Sequence, residues 1–397
     1  MASSLAAHWP MDRLTGWPAE AEQVAERRPR VLFVGSTRHN LPLPPGLARK
    51  WDSVADRVDL RVIGQAGAVE EDDPRFRLVR ISPSFAGAFH LALPWIVAEE
   101  VHRFRPDVVV TQSPYEALPI LAIRPALRGN PKLVVEVQGD WRSAARFYGS
   151  GLRRFFAVAS DRAAVLALRR ADGTRAIGDF TAALAEETTN RKPLGTYPTY
   201  SDIESFLASP PEPLPVSPTV AWIGMLQAVK DPETFAAAWR VVAARLPEAR
   251  AIVVGDGPLR PVINALCTEF PERVRRFPRL SPSEVVRVLD ESTVLVLSSR
   301  SEGLGRVAIE AFARGRPVIG SAVGGIPDIV RAEHSGLLVP PGDATALADA
   351  LVRVLSDRAL AGRLAAGALS DGKSFQWSAE RHAEAVRQLV DRALALP

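Results

Sequence analysis

An α/β protein made of two doubly wound parallel-sheet domains is predicted by three observations. Short apolar, β-branched runs alternate with helix-length segments between residues 30 and 206. Five prolines, Pro210, Pro211, Pro213, Pro215 and Pro218, then crowd into residues 207–219. The same alternation starts afresh at residue 220 and runs to residue 374. Residues 1–29 show no clear period and read as an N-terminal extension. The two halves share a pattern but no repeated sequence.

In the first half, 31–34 reads as a buried strand that ends at Gly35-Ser36. Residues 58–63, 108–111 and 133–137 follow as strands, with 96–104 and 160–170 as the helices between them. The proline-rich stretch lacks the N–H groups a sheet needs and prefers extended backbone, so it reads as a semi-rigid linker and a candidate hinge. Beyond it lie strand 220–223, helix 232–245 and strand 251–254, and Gly255-Asp256-Gly257-Pro258 then turns into a helix near Pro258. Strand 274–277, helix 282–290, strand 294–297 and helix 307–312 come next, and Gly315 stops the last before a buried strand up to Gly320. Residues 375–397 hold a long amphipathic helix with Trp377 near its start. This order implies two Rossmann-like domains facing a cleft.

With 397 residues the chain can bury two cores, and 47% apolar with 24% charged residues is ordinary globular composition. A net charge of +4 is too mild for a polyanion footprint, so no nucleic-acid partner is expected. The lone cysteine, Cys267, excludes an internal disulfide and reads as a small apolar residue. The six histidines have no metal-binding spacing, and Glu71-Asp72-Asp73 before Pro74 reads as an acidic turn, so metal-independent chemistry is expected. No apolar run reaches the ~18 residues of a membrane span. The first residues do not read as a signal peptide. The expected location is cytoplasmic, at most peripheral on the inner membrane face.

The most informative segment is 301–310, S-E-G-L-G-R-V-A-I-E, which links strand 294–297 to a helix. A glycine-rich strand-to-helix turn directs unpaired N–H groups and the positive end of a helix at an anion. Glu302 and Glu310 flank that cradle, which suits a ligand with phosphates in the middle and hydroxyls at both ends. Two solvated glutamates at a helix start would give the same letters. The continuation is more specific: Gly315, Pro317, then Gly324-Gly325-Ile326-Pro327-Asp328. Together these residues resemble the retaining glycosyltransferases of family 4, whose signature is E-x7-E, a helix, G-x-P-V-I and a G-G-x-P-[DE] turn.

That resemblance implies the GT-B fold, with the last helix crossing back onto the first domain; a helix capping the second domain is the simpler alternative. It also implies transfer of a sugar from a nucleotide diphosphate donor, a UDP- or GDP-sugar, to a hydroxyl acceptor with the anomeric configuration retained. Acceptors in the family include glycans, lipid-linked carriers and small metabolites. By the motif, Glu302 contacts donor-sugar hydroxyls and Glu310 the ribose. The amides of Gly303, Leu304, Gly305 and Arg306 hold the β-phosphate, and the leaving diphosphate takes the acceptor's proton. Gly224 and Gly255 match glycines at the edge of the nucleotide pocket, and Lys230 stands where the family has a lysine against the diphosphate. Its usual arginine partner is replaced by Met225, a departure for which Arg300 or Arg306 is the expected substitute. Lys230 also reads as a solvated helix-start lysine, and Asp-Gly is a generic turn dipeptide.

The first half carries less. Gln138-Gly139-Asp140 stands where the family often has H-G-D; Gln138 keeps hydrogen bonding but cannot act as a base. Asp140 either orients an acceptor hydroxyl or caps a helix before Trp141-Arg142. Gly35 and Gly46 are the other acceptor-side candidates, Gly46 being the only glycine where relatives often have a pair. Arg142, Arg146, Arg153 and Arg154, interleaved with Trp141, Phe147, Phe155 and Phe156, suit an anionic membrane or an ordinary solvated helix face. A catalytically degenerate GT-B protein that binds nucleotide and scaffolds a partner is the competing reading, resting on Met225 and Gln138. A nicotinamide dehydrogenase is excluded, because Gly35-Ser36-Thr37-Arg38 lacks G-x-G-x-x-G.

Overall fold

The computed structural model describes residues 27–81, 88–142 and 157–397. Seven parallel strands form the first sheet: β1 (Arg30–Leu41), β2 (Asp59–Val69), β3 (Phe76–Val79), β4 (Val108–Thr111), β5 (Lys132–Val137), β6 (Gly173–Ala176) and β7 (Gly195–Thr196). Their order is β3-β2-β1-β4-β5-β6-β7. Six more form the second: β8 (Thr219–Ile223), β9 (Arg250–Val254), β10 (Val274–Phe277), β11 (Val294–Leu297), β12 (Val318–Ser321) and β13 (Gly336–Val339). Their order is β10-β9-β8-β11-β12-β13. In both sheets the order reverses beside the first strand, between β1 and β4 and between β8 and β11. At such a switch point the loops leaving neighbouring strands diverge and open a crevice for ligand.

One expectation needs correcting. β1 does not stop at Gly35-Ser36 but continues to Leu41 through a register shift after Val34. On one side β4 ends opposite Val34, whereas β2 stays long and carries the pairing on through Arg38 and His39. Also, the residues around Gly46 form a helix, Pro45–Ala55, because Pro45 occupies a first-turn position where its missing N–H is not needed.

The last helix, Ala379–Leu394, crosses back onto the first domain. Its apolar stripe, including Ala383, Val386, Leu389 and Val390, joins Val31, Trp51, Val108 and Val134 in one core. Trp377 precedes the helix and stacks on Tyr197 at 6.1 Å between ring centroids.

The proline-rich stretch is not a free hinge. Arg314 and Arg316, 0% and 2% exposed, bind its carbonyl oxygens. Arg314 donates to Phe206, Ser209 and Pro210, and Arg316 to Glu212 and Pro213. Arg358 holds the next two, Leu214 and Pro215. The chain leaves the first sheet at Thr196, and Ile203 and Phe206 already lie in the second domain's core. The linker is therefore strapped to the second domain.

Candidate functional site

The loops leaving β8 and β11 at the second switch point hold the strongest site candidates. After β8 come Gly224 and then Lys230-Asp231, which opens the helix Pro232–Arg245. Asp231 caps that helix, accepting from the Thr234 amide at 3.0 Å and its hydroxyl at 2.7 Å. After β11 comes the turn with Glu302. The structure brings Lys230 and Glu302, distant in sequence, into a direct ion pair. The Ser299 hydroxyl donates to the same glutamate oxygen at 3.3 Å. Gly255, which closes β9, belongs to this cluster: a Cβ there would fall 1.9 Å from the Gly224 carbonyl oxygen.

The glycine-rich turn has the geometry of an anion cradle. Gly305 takes φ +77 as the residue before the helix Arg306–Ala313 and offers that helix no side-chain cap. Among the described residues, the amides of Gly303, Leu304 and Gly305 donate to no protein acceptor. The second turn nests beneath the first, with the Gly325 amide donating to the Glu302 carbonyl at 3.0 Å. Of the predicted residues here, the Leu304 side chain is buried in the core, so only its backbone faces a ligand. Glu310 is buried beside the turn and accepts from Arg306 Nε at 3.1 Å. Burial pushes its carboxyl above the usual range, partly opposed by that guanidinium.

The two candidate substitutes for the missing arginine separate clearly. Arg300 is committed elsewhere: its Nε donates to the buried Asp231 carboxylate. Arg306 remains 68% exposed at the helix start. Met225 is exposed at the cleft side of β8 and makes no charge contribution.

The first domain closes on this site. A Cβ on Gly303 would fall 1.9 Å from the Gln138 carbonyl oxygen, so only glycine permits that approach. Gln138 Nε2 donates to Glu136 at 2.7 Å, and Asp140 accepts from the Arg142 amide and Nε at 3.0 and 2.8 Å. Gly35 lies against Gln112, and Gly46 lies against the Asp202 carboxylate rather than facing the second domain. Arg146, Arg153, Arg154, Phe147, Phe155 and Phe156 lie outside the described residues.

Sequence reading missed a second cross-domain contact. Asp328, in the Gly-Gly-Ile-Pro-Asp turn, accepts from the Phe180 amide at 2.8 Å, at the start of the first-domain helix Asp179–Thr189. Burial pushes its carboxyl up to about 6, with the Asp179 charge adding to the rise. A raised carboxyl favours folding in its protonated form. That contribution is present below the ordinary carboxyl value and lost as pH rises through about 6. Asp328→Asn keeps the acceptor and removes the charge, so it should stabilise the protein at pH 7.5 by on the order of 1–2 kcal/mol after solvent screening. At pH 4 it should change little. Thermal unfolding at the two pH values checks this, and equal shifts at both would contradict it.

Among the described residues, no group of three or more His, Cys, Asp or Glu could hold a metal ion. No described helix is long and apolar enough to cross a membrane.

The architecture is a GT-B fold. Sucrose-phosphate synthase from Thermosynechococcus elongatus superposes with a TM-score of 0.73 at 21% identity, over 93% of this chain and all of that one. The Anabaena protein HepE, solved with UDP-glucose, gives 0.66 at 18% identity over 91% and 99%. Within that fold, residues 217–357 match the family described as Glycosyl transferases group 1. A D-inositol 3-phosphate glycosyltransferase of Nocardioides is 36% identical over 171 residues, 39% of this chain and 37% of that protein. The sulfoquinovosyl transferase SQD2 of Arabidopsis thaliana is 31% identical over 168 residues, 42% and 32% of the two chains. The chain thus matches only about two-fifths of the length of its curated relatives.

Proposed function

We propose that the protein is a retaining glycosyltransferase that moves a sugar from a UDP- or GDP-sugar to a hydroxyl acceptor without a metal ion. The observation that carries this reading is the Lys230–Glu302 pair beside the unpaired amides of the glycine-rich turn, at the switch point of a GT-B second domain. In this reading the cradle amides and Lys230 hold the diphosphate, Glu302 holds sugar hydroxyls, and Glu310 holds the ribose. Preorganised donors aimed at a leaving diphosphate stabilise the charge that grows on it in the transition state. Arg306 supplies the second cation in place of Met225. The leaving diphosphate accepts the acceptor's proton on the same face of the sugar, so no carboxylate nucleophile is required. Relatives named as transferases, and neighbours solved with UDP-sugar, support the class of donor.

A thermal-shift titration with UDP, GDP and ADP, each with and without EDTA, tests the donor assignment. A ligand that binds only the folded state stabilises by RT ln(1 + [L]/Kd), about 2.7 kcal/mol at a hundredfold excess over Kd. A selective, EDTA-insensitive rise with UDP or GDP is the expected result. No shift with any nucleotide would overturn the donor site, and a shift without transfer from any matching donor would instead favour the degenerate scaffold. A shift abolished by EDTA would overturn metal independence.

A further inference from the structure

The first domain has its own cavity of about 50 Å³, lying under the helix Pro45–Ala55 and the returning C-terminal helix. Its rim includes Gly35, just past the point where β1 stops pairing with β4, and Gln112 and Gln138, which follow β4 and β5. Gln138 is also the residue whose backbone abuts Gly303 in the cradle, so the cavity neighbours the proposed sugar site. Its lining is unusual for a domain interior. His39 and His382 are each 5% exposed, and the Nδ1 of each has no hydrogen-bond partner. Trp51 Nε1 and Arg175 Nε, which can only donate, are also buried and unpartnered.

The acceptor groups in the lining are, by contrast, already used. Glu136 receives Arg175 at 3.1 Å and Gln138 at 2.7 Å, and the Gln112 oxygen receives the Thr37 hydroxyl at 2.7 Å. Lys50 has neither hydrogen bond nor ion pair among the described residues, and its ammonium stands 4.2 Å from the Trp51 ring centroid. Glu136 faces both the Arg175 and the Lys50 charge, so the two cations of the lining exceed its one anion by one. Both histidines are neutral at physiological pH: burial and the Lys50 charge hold His39 down to about 4 and His382 well below its usual value. The surplus is therefore one positive charge and the donors of Trp51 and Arg175, joined by the two imidazoles when each carries its proton on Nδ1, and leaving buried donors unmade is costly. A small ligand that supplies only acceptors and negative charge would satisfy it. A cavity of this size holds about three waters, or one tetrahedral oxyanion.

We propose that this cavity binds a phosphate monoester carried by the acceptor, with Lys50 as its charge partner and His39, His382 and Trp51 as hydrogen-bond donors. The assignment to the acceptor rests on the transferase reading above; the anion site itself does not. It also gives the crossover helix a task, since that helix brings His382 to the first domain's switch point.

The experiment is a calorimetric titration of the full-length protein with inorganic phosphate against chloride of matched ionic strength, repeated with the cradle saturated by UDP. Wild type is expected to bind phosphate in both conditions. Lys50→Met should weaken binding at least tenfold, and Lys50→Arg should restore it to within a few-fold. Lys50 is half-buried, so neither change should unfold the protein, and an unchanged response to UDP verifies this. Absence of phosphate binding in wild type, or equal affinity in Lys50→Met, overturns the site. Phosphate binding through Lys50 without any response to UDP, GDP or ADP keeps the anion site and sinks the transferase reading. If transfer occurs but phosphate does not compete with the acceptor, the acceptor assignment fails.

Discussion

Glu302→Ala should lower the transfer rate by about a thousandfold while leaving UDP affinity within a few-fold of wild type. Glu302 reaches the second switch point from the β11 side, and it is held there by Lys230 and Ser299. The nucleotide contacts assigned to Glu310 and to the amides of the cradle do not pass through it. Losing a preorganised polar group that acts in the transition state costs roughly 10²–10³ in kcat. Losing the partner of a lysine whose charge must face the diphosphate adds to that. Stability should change little, because Lys230 retains 28% side-chain exposure and can hydrate once unpaired. Single-turnover kinetics with the donor found by thermal shift, beside UDP titration, makes the comparison. Transfer at the wild-type rate would remove Glu302 from the mechanism and the family assignment with it.

How much of this was legible depends on whether a feature was local. In the second domain, strands such as β8, β9 and β11 are short, mostly apolar runs closed by glycine or serine, and helices such as Pro232–Arg245 and Pro282–Asp290 begin at proline after a capping residue. Those signals are contiguous, so the sequence reveals the elements up to β12 and the cradle, although the strand Gly336–Val339 and the helices Ala344–Ser356 and Arg358–Gly372 are not read from it. The first domain is less explicit. Its β1 continues through Gly35-Ser36-Thr37 only because β2 is long, which no local pattern states. The helix Pro45–Ala55 follows two prolines and is not read from the sequence. The anion cavity is drawn from β1, the helix after it, β5, β6 and the last helix, so its residues share no spacing. Lys50 looks like any surface lysine until the fold sets Trp51, Arg175 and His382 around it. The signal that could have found it is a histidine on the apolar stripe of the final helix, His382 next to Ala383, in a helix already expected to cross back.

The opposite kind of residue, buried but written like a surface charge, gives the largest expected stability effect. In the sequence Arg314 and Arg316 bracket Gly315, the helix stop, and carry no mark of burial. In the fold Arg314 is fully buried and makes a two-pronged pair with Asp290, Nε at 2.9 Å and Nη2 at 2.8 Å. Its remaining hydrogen bonds go to the carbonyls of Phe206, Ser209 and Pro210, at 3.1, 2.6 and 2.9 Å. A proline-rich segment cannot join a sheet, so its carbonyls need donors from side chains, and the fork of an arginine supplies several at once. Arg314→Ala removes those donors together and leaves Asp290, itself mostly buried, without its bidentate partner. Breaking a buried pair in this way costs about 3–5 kcal/mol. For a domain of this size that corresponds to a fall in Tm of roughly 10 °C. Arg314→Lys should recover little of it, because a single ammonium cannot meet a carboxylate and three carbonyls lying in different directions. A drop of less than about 2 °C in Arg314→Ala, or full recovery in Arg314→Lys, would show that the strap contributes little and would return the proline-rich stretch to the role of hinge.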